Sequence, residues 1–187
     1  MFVDTVNFSM PFSDSNKKPS PENILAMIRK EESAKLRIYI GMAAGVGKTF
    51  RMLRDAHEQK QQGIDVVIGL IETHNRSETI AEVGNLEQIP LKKIEYRGTI
   101  FEELNVEEII RRKPQVVVID ELAHTNIEGS KNQKRYQDVL EIVENGINVV
   151  TAVNIQHLES LNDILARTVG IRVRETVPDW FIQRADE

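Results

Sequence analysis

Residues 41–49 read GMAAGVGKT and lie between a predicted strand, LRIYIG at 36–41, and a helix predicted over 48–62. The small residues allow backbone N–H groups to approach a polyphosphate closely. The start of the helix adds its positive end and its unpaired N–H groups. Lys48 can reach the β- and γ-phosphates of a nucleotide, and the Thr49 hydroxyl is suited to bind Mg²⁺. The stretch therefore predicts a phosphate-binding turn.

The spacing within this turn departs from the usual P-loop pattern at one position. That pattern has a glycine six residues before the lysine, whereas this sequence has Met42 there and Gly41 one residue earlier. The alternative interpretation is a glycine-rich connection that binds no ligand. The run GVGKT at 45–49, placed at a strand-to-helix junction, favours phosphate binding.

The rest of the chain alternates apolar, β-branched segments with helical ones. Strands are predicted over 64–71, 92–96, 115–120 and 147–153, and helices over 77–86, 105–113, 136–145 and 158–168. A short helix is also predicted over 21–35, after a flexible arm at 1–19. Such alternation is typical of crossover units and a mainly parallel sheet. We therefore expect an α/β domain over 20–187, a three-layer P-loop NTPase-like fold with about five strands and helices on both faces.

The segment VVVIDE at 116–121 predicts the partner of the phosphate-binding turn. It is an apolar strand that ends in Asp120 and Glu121. In P-loop folds the aspartate at such a strand end holds Mg²⁺, and a carboxylate one residue later can orient or deprotonate an attacking water or hydroxyl. The alternative is that both carboxylates only solvate the strand end. Their occurrence together with the glycine-rich turn favours the functional interpretation.

These two segments give the expected site residues. Catalysis is assigned to Glu121, as the base, and to Lys48, and the expected ligands are ATP and Mg²⁺. The Mg²⁺ ion is expected at Thr49 and Asp120, partly through water. The residues expected to bind the nucleotide are Gly41, Ala43, Ala44, Gly45, Val46, Gly47, Lys48, Thr49, Phe50 and Asp120.

The composition excludes several classes of protein. The 187 residues include 24 Lys and Arg against 29 Asp and Glu, a net charge of −5, and lack the basic surface of a nucleic-acid-binding protein. The absence of cysteine excludes disulfides, thiolate metal sites and a cysteine nucleophile. No apolar stretch approaches the roughly 20 residues of a membrane-spanning helix, and no secretory signal is visible. We therefore expect a cytoplasmic protein with no nucleic-acid partner and no membrane insertion.

Further polar residues follow the predicted strand ends. They are His74, Arg76, His124, Thr125, Asn126, Asn154, Gln156 and His157. Because ligands of open parallel sheets bind at the carboxyl ends of the strands, these side chains are expected to converge on one rim. The alternative for each of them is ordinary loop polarity or helix capping.

Two other basic residues have open interpretations. Arg135 follows a predicted flexible loop and is a candidate to contact phosphate, with a solvated loop as the alternative. His57 lies on the face of the first long helix, where a structural or surface role is expected. The four histidines show no zinc-ligand spacing.

Several segments together resemble the N-terminal cytoplasmic domain of the KdpD family, the osmosensitive potassium-channel sensor histidine kinases. They extend from about Pro21 to Glu187, and the family's phosphate-binding turn also tends to have its glycine one residue early. The resembling segments are GMAAGVGKT at 41–49, ETHNRSET at 72–79, DELAHTN at 120–126, KRYQDV at 134–139, NIQHLESLND at 154–163 and VRETVPD at 173–179.

The resemblance implies an ATP-binding input domain that modulates kinase and phosphatase output in potassium homeostasis. Its implied partners are the remaining domains of a membrane-bound sensor kinase, in cis or in trans. The phosphoacceptor histidine and the catalytic core of such a kinase are not in this sequence, which is either a fragment or a short stand-alone version. The alternatives are an autonomous P-loop ATPase or Ser/Thr-hydroxyl kinase with slow turnover, and an interaction module whose nucleotide site has decayed.

Overall fold

A computed structural model of the chain describes residues 33–43, 45–73, 76–170 and 173–187. The predicted arm at 1–19 lies outside the described residues. So does the helix predicted over 21–35, apart from residues 33–35, which are not helical.

The strands of the described part build one parallel sheet and one hairpin. They are β1 (Leu36–Gly41), β2 (Val66–Leu70), β3 (Glu87–Gln88), β4 (Lys92–Tyr96), β5 (Thr99–Glu103), β6 (Val116–Ile119) and β7 (Asn148–Asn154). The sheet has the order β1-β7-β6-β2-β3, and every neighbouring pair in it is parallel. The predicted parallel sheet of about five strands is therefore confirmed.

Helices connect the strands of the sheet, as parallel neighbours require. They are α1 (Lys48–Gln61), α2 (Ser77–Val83), α3 (Val106–Arg112), α4 (Arg135–Glu144), α5 (Glu159–Val169) and α6 (Asp179–Ile182), with a 3₁₀ turn at Ile155–His157. Within the described ranges, none of these helices has the length and apolar character needed to cross a membrane.

The apolar side chains form two clusters, one on each face of the sheet. Residues of β6 alternate between them, since Val117 and Ile119 belong to one cluster and Val116 and Val118 to the other. One cluster is completed by Met52, Leu53 and Ala56 of α1 and the other by Ile109 of α3, Val139 and Ile142 of α4 and Phe181 of α6. Helices therefore cover both faces, and the three-layer prediction is confirmed.

The strand predicted over 92–96 exists, but its expected place in the parallel sheet is wrong. As β4 it pairs antiparallel with β5, which was not predicted. The two residues between them, Arg97 and Gly98, have positive φ values of 51° and 77°, as tight hairpin turns require. The third strand of the sheet is instead β3, whose two exposed residues are too few to give a sequence pattern.

The last residues of the chain contact the outer edge of β1. The Asp186 N–H donates to the Leu36 carbonyl at 2.8 Å, and the Ile38 N–H donates to the Glu187 carbonyl at 2.9 Å. The carboxylate of Asp186 also accepts from the Leu36 N–H at 3.0 Å. These contacts satisfy backbone groups that an uncovered edge strand would leave to solvent.

The packing of α6 generates a stability prediction. Phe181 is fully buried and lies 5.4 Å from the ring of Tyr136, whereas its neighbour Trp180 is 49% exposed. We expect Phe181→Ala to lower the free energy of unfolding by about 3–5 kcal/mol, through lost burial and a residual cavity. Trp180→Ala is the matched control and is expected to cost less than half as much. Urea denaturation followed by circular dichroism measures both, and equal losses would contradict the packing described.

Candidate functional site

The turn between β1 and α1 contains two glycines in a left-handed backbone conformation. Gly45 and Gly47 have φ values of 84° and 86°, a left-handed conformation that a side chain disfavours. Gly47 is the N-cap of α1 and supplies no side-chain hydrogen bond to it. The first N–H groups of α1 therefore have no side-chain cap at this position, and a helix start of this kind is suited to an anion.

Lys48 folds back over Gly41, which explains the unusual position of that glycine. A Cβ atom on Gly41 would lie 2.7 Å from Cδ of Lys48 and 2.8 Å from Cγ2 of Val46. No residue with a side chain fits there without displacing the lysine. The side chain of Met42 is 75% exposed and is not among the residues that line the neighbouring cleft of about 290 Å³.

The Lys48 ammonium group lies between the turn and the end of β7. Its Nζ donates to Oδ1 of Asn154, at the end of β7, and to the Ala43 carbonyl at 3.3 Å. Burial lowers the pKa of Lys48 below its ordinary value. The negative charge of Asp120 opposes this effect, and the positive charge of Arg76 adds to it.

Thr49 and Asp120 meet directly. The Thr49 hydroxyl donates to Oδ2 of Asp120 at 2.6 Å, although β7 lies between β1 and β6 in the sheet. The other carboxylate oxygen of Asp120 accepts from the Glu121 N–H at 2.9 Å, and only 5% of the residue is exposed. Hydroxyl and carboxylate oxygens are thus fixed side by side at the start of α1.

Glu121 follows in a strained backbone conformation. Its φ value is 53°, which costs a residue with a side chain about 1–2 kcal/mol. The residue lines the same cleft as Lys48 and Thr49. Strain of this kind is found at functional sites more often than elsewhere.

A cleft of about 290 Å³ joins most of the residues predicted to form the site. From the turn and the two strand ends it is lined by Gly45, Gly47, Lys48, Thr49, Phe50, Asp120 and Glu121. From the predicted rim it is lined by Arg76, His124, Asn154, Gln156 and His157. Gly41, Ala43 and Val46 lie in the turn without lining the cleft, and Ala44 and His74 lie outside the described residues.

Two residues of the predicted rim do not line the cleft and contact other residues of the protein. Thr125 contacts Lys134 and Glu175, and Asn126 donates to Asp138 and to the Asn132 carbonyl. These contacts match the alternative of ordinary loop polarity. The sequence interpretation also missed residues that do line the cleft, namely Leu122, Ala123, Ala152, Val153 and Glu175.

Comparison with known proteins assigns the family. The family model described as "KdpD: Osmosensitive K+ channel His kinase sensor domain" matches residues 32–187. The chain belongs to the KdpD sensor-domain family. The resemblance seen in the sequence is therefore confirmed.

Individual KdpD relatives agree over most of the chain. "Sensor protein KdpD" of Mycobacterium tuberculosis is 53% identical over 152 residues, 81% of this chain and 18% of the relative. "Sensor protein KdpD" of Escherichia coli is 45% identical over 170 residues, 91% of this chain and 19% of the relative. "Putative sensor protein KdpD" of Synechocystis is 52% identical over 153 residues, 82% of this chain and 41% of the relative. The chain thus spans about a fifth of the length of the first two relatives.

The interpretation of Arg135 as a residue of a solvated loop is wrong. Arg135 begins α4 and is 2% exposed. Its Nη2 lies 3.2 Å from Oε2 of Glu103, and its Nη1 donates to the Asp120 carbonyl at 3.4 Å. Because this arginine is paired beneath the strand end, it is not among the residues that line the cleft of this KdpD-family domain.

Glu103 connects the β4–β5 hairpin to the same strand end. Its carboxylate contacts Arg135, accepts from the Ile127 N–H at 2.8 Å and lies 3.1 Å from Nε2 of His124. Burial alone raises the pKa of Glu103. The hydrogen bonds from His124 and Ile127 and the charges of His124 and Arg135 outweigh burial, and they hold the pKa below its ordinary value.

The structural role predicted for His57 is confirmed. Its Nε2 lies 2.9 Å from the Glu82 carbonyl oxygen and so connects α1 to α2. It also lies close to Gly84, where an added Cβ would be 3.1 Å from the ring. His57 is not among the residues that line the cleft.

The pairing of Glu103 generates a prediction about stability and pH. We expect Glu103→Gln to lower the free energy of unfolding at neutral pH by about 3–5 kcal/mol, because it leaves the buried Arg135 without its counter-charge. The pKa of Glu103 is lowered in the folded state, so the wild-type carboxylate loses its contribution as the pH falls through that pKa. The difference between wild type and variant should therefore shrink in acid. Urea denaturation across the pH range measures it, and the exposed Glu102→Gln serves as the control with no comparable loss.

Proposed function

We propose that this KdpD-family domain binds ATP with Mg²⁺ in the cleft at the start of α1. The observation that carries the proposal is the hydrogen bond between Thr49 and Asp120 at 2.6 Å. A threonine hydroxyl after the turn lysine and an aspartate at a strand end are the two side chains that hold Mg²⁺ in P-loop proteins. A domain with a decayed nucleotide site would have no reason to keep both in contact.

The chemistry of this oxygen pair fits Mg²⁺. Magnesium prefers oxygen ligands, keeps several waters and is bound by one or two carboxylates together with phosphate oxygens. Thr49 and Asp120 would supply the protein ligands, and the bound ion would neutralise phosphate charge. Among the described residues there is no cluster of three or more His, Cys, Asp or Glu side chains that could hold a metal by itself, which suits an ion that arrives with the nucleotide.

The phosphates are held by three features of the chain. The backbone N–H groups after Gly45 and at the start of α1 donate to them. Lys48 supplies a charge next to Asp120, and Asn154 keeps its ammonium group in place. Phe50 and the other residues of the lining close the cleft around the ligand.

We further propose that the domain is a regulatory input to a larger sensor kinase. Its relatives are named sensor proteins, and the chain spans about a fifth of the length of the first two. In this proposal ATP occupancy in the cytoplasm modulates the kinase and phosphatase output of the remaining domains.

Slow hydrolysis is a second candidate function, favoured by the strained backbone of Glu121. Its carboxylate would take a proton from a water whose oxygen attacks the γ-phosphorus, giving ADP and inorganic phosphate. If the domain hydrolyses ATP slowly, its output depends on how long the bound ATP stays intact as well as on whether ATP is bound.

Removal of the lysine tests nucleotide binding. We expect micromolar binding of Mg²⁺·ATP to the wild-type chain and a loss of about tenfold or more in Lys48→Ala, since a charge-assisted contact to phosphate disappears. Lys93→Ala, an exposed lysine on the hairpin, is the matched control and should bind as wild type does. Titration calorimetry measures both, and a well-folded wild type that binds no nucleotide would refute the proposal.

Substitution of the candidate base tests hydrolysis separately. Glu121→Gln is expected to retain ATP binding within about threefold and to lower the rate of phosphate release by about a hundredfold or more. Glu144→Gln, at the exposed end of α4, should hydrolyse at the wild-type rate. Phosphate release under saturating Mg²⁺·ATP measures this, and unchanged turnover in Glu121→Gln would remove Glu121 from the chemistry.

A further inference from the structure

Arg76 is a cation placed directly against the phosphate-binding turn. A Cβ atom on Gly45 would lie 3.0 Å from Nη2 of Arg76 and 3.4 Å from Nη1. The guanidinium therefore covers the glycine whose left-handed backbone shapes the turn. The residue also lines the cleft together with Lys48 and Thr49.

No carboxylate neutralises this arginine in the described part of the chain. In that part of the chain, no hydrogen bond or ion pair involves the Arg76 side chain. The positive charge of Arg76 instead acts on Lys48, where it disfavours the ionised form and so lowers the pKa. Two like charges in one cleft repel each other, and a bound anion removes that repulsion.

The backbone at Arg76 is fixed while the side chain is exposed. Its N–H donates to the Thr73 carbonyl at 2.9 Å, and its carbonyl accepts from the Ile80 N–H at 3.0 Å. Arg76 is the N-cap residue of α2 but supplies no side-chain cap. Within the described ranges the side chain has no hydrogen-bond or ion-pair partner, and its removal takes no capping contact from α2.

The sheet places the segments that carry Arg76 and the candidate base Glu121 at the ends of neighbouring strands. β2 and β6 are neighbours, and their last residues, Leu70 and Ile119, are paired. The Asp120 N–H also donates to the Leu70 carbonyl at 2.9 Å. The segments that follow these strands, with Arg76 on one and Glu121 on the other, therefore border the same side of the cleft. Arg76 and Glu121 both line this cleft.

We propose that Arg76 contacts the terminal phosphate of the bound nucleotide, so that the domain distinguishes ATP from ADP. This inference rests on the proposed binding of ATP. The planar guanidinium donates two parallel hydrogen bonds to phosphate oxygens, while Lys48 and the start of α1 hold the phosphates shared by both nucleotides. Loss of the terminal phosphate leaves the Arg76 and Lys48 charges less compensated, which weakens ADP binding relative to ATP.

The test compares Mg²⁺·ATP and Mg²⁺·ADP on the whole 187-residue chain by titration calorimetry. Arg76→Ala is expected to weaken ATP binding by about tenfold or more and ADP binding by less than about threefold. Arg76→Lys should recover part of the ATP preference, because it restores charge without the planar fork. Arg111→Ala, an exposed arginine paired with Glu108 on α3, is the control and should change neither affinity.

The outcomes separate this inference from the proposed function. A wild-type chain that binds neither nucleotide refutes the proposed function. A wild type that binds both, with Arg76→Ala losing ATP and ADP affinity equally or losing neither, overturns the assignment of Arg76 alone. Circular dichroism of each variant is expected to match wild type, since Arg76 makes no side-chain contact that supports α2.

Discussion

The hydrogen bond from Thr49 to Asp120 depends on the register of three strands. Thr49 follows β1 and Asp120 follows β6, and β7 lies between them. Val149 of β7 is paired with Leu36 on one side and with Val117 on the other. A slip of one residue in either pairing would move a strand end by about 3.3 Å, more than a hydrogen bond tolerates. The buried, β-branched strands that fix this register are therefore what keeps the hydroxyl and the carboxylate together.

The parts of the fold that the sequence predicted are those with strong local signals. β1 was expected over 36–41 and is found at Leu36–Gly41, because an apolar strand followed by a glycine-rich turn is specified by its own residues. The β4–β5 hairpin was not foreseen, since its second strand is mostly exposed and has no apolar pattern. What decides that hairpin is the conformation of two turn residues, Arg97 and Gly98. The sequence alone did not indicate that these two residues would form a hairpin turn instead of the expected crossover connection.

The site shows a similar division. The sequence motifs identify Lys48, Thr49 and Asp120 as site residues, and the structure brings them together. Glu175 also lines the cleft, but its presence there depends on how the chain returns after α5. It is held by the Thr125 N–H at 2.8 Å, a contact between residues fifty positions apart that no local pattern encodes. Long-range contacts of this kind are set by packing, and packing is not visible in the periodicity of one segment.

The two arginines near the strand ends lie in opposite environments. Arg135 is buried and forms an ion pair with Glu103, so its charge is compensated inside the fold. Arg76 is exposed, and no carboxylate of the described residues neutralises it. The sequence analysis had Arg135 as a candidate to contact phosphate and Arg76 as a residue of the rim, and burial separates them. Charge that is compensated inside the fold serves stability, whereas charge left open at a cleft is available to a ligand.

Gly41 gives the lysine its position without bearing any functional group. A single methyl group there would meet Cδ of Lys48 at 2.7 Å, so the lysine side chain would have to shift. Such a chain would keep every ionisable residue, its net charge and its lysine–threonine pair, and would still differ in where the lysine side chain lies. A comparison that scores only the charged and hydroxyl side chains would miss that difference, which depends on the residue that ends the first strand.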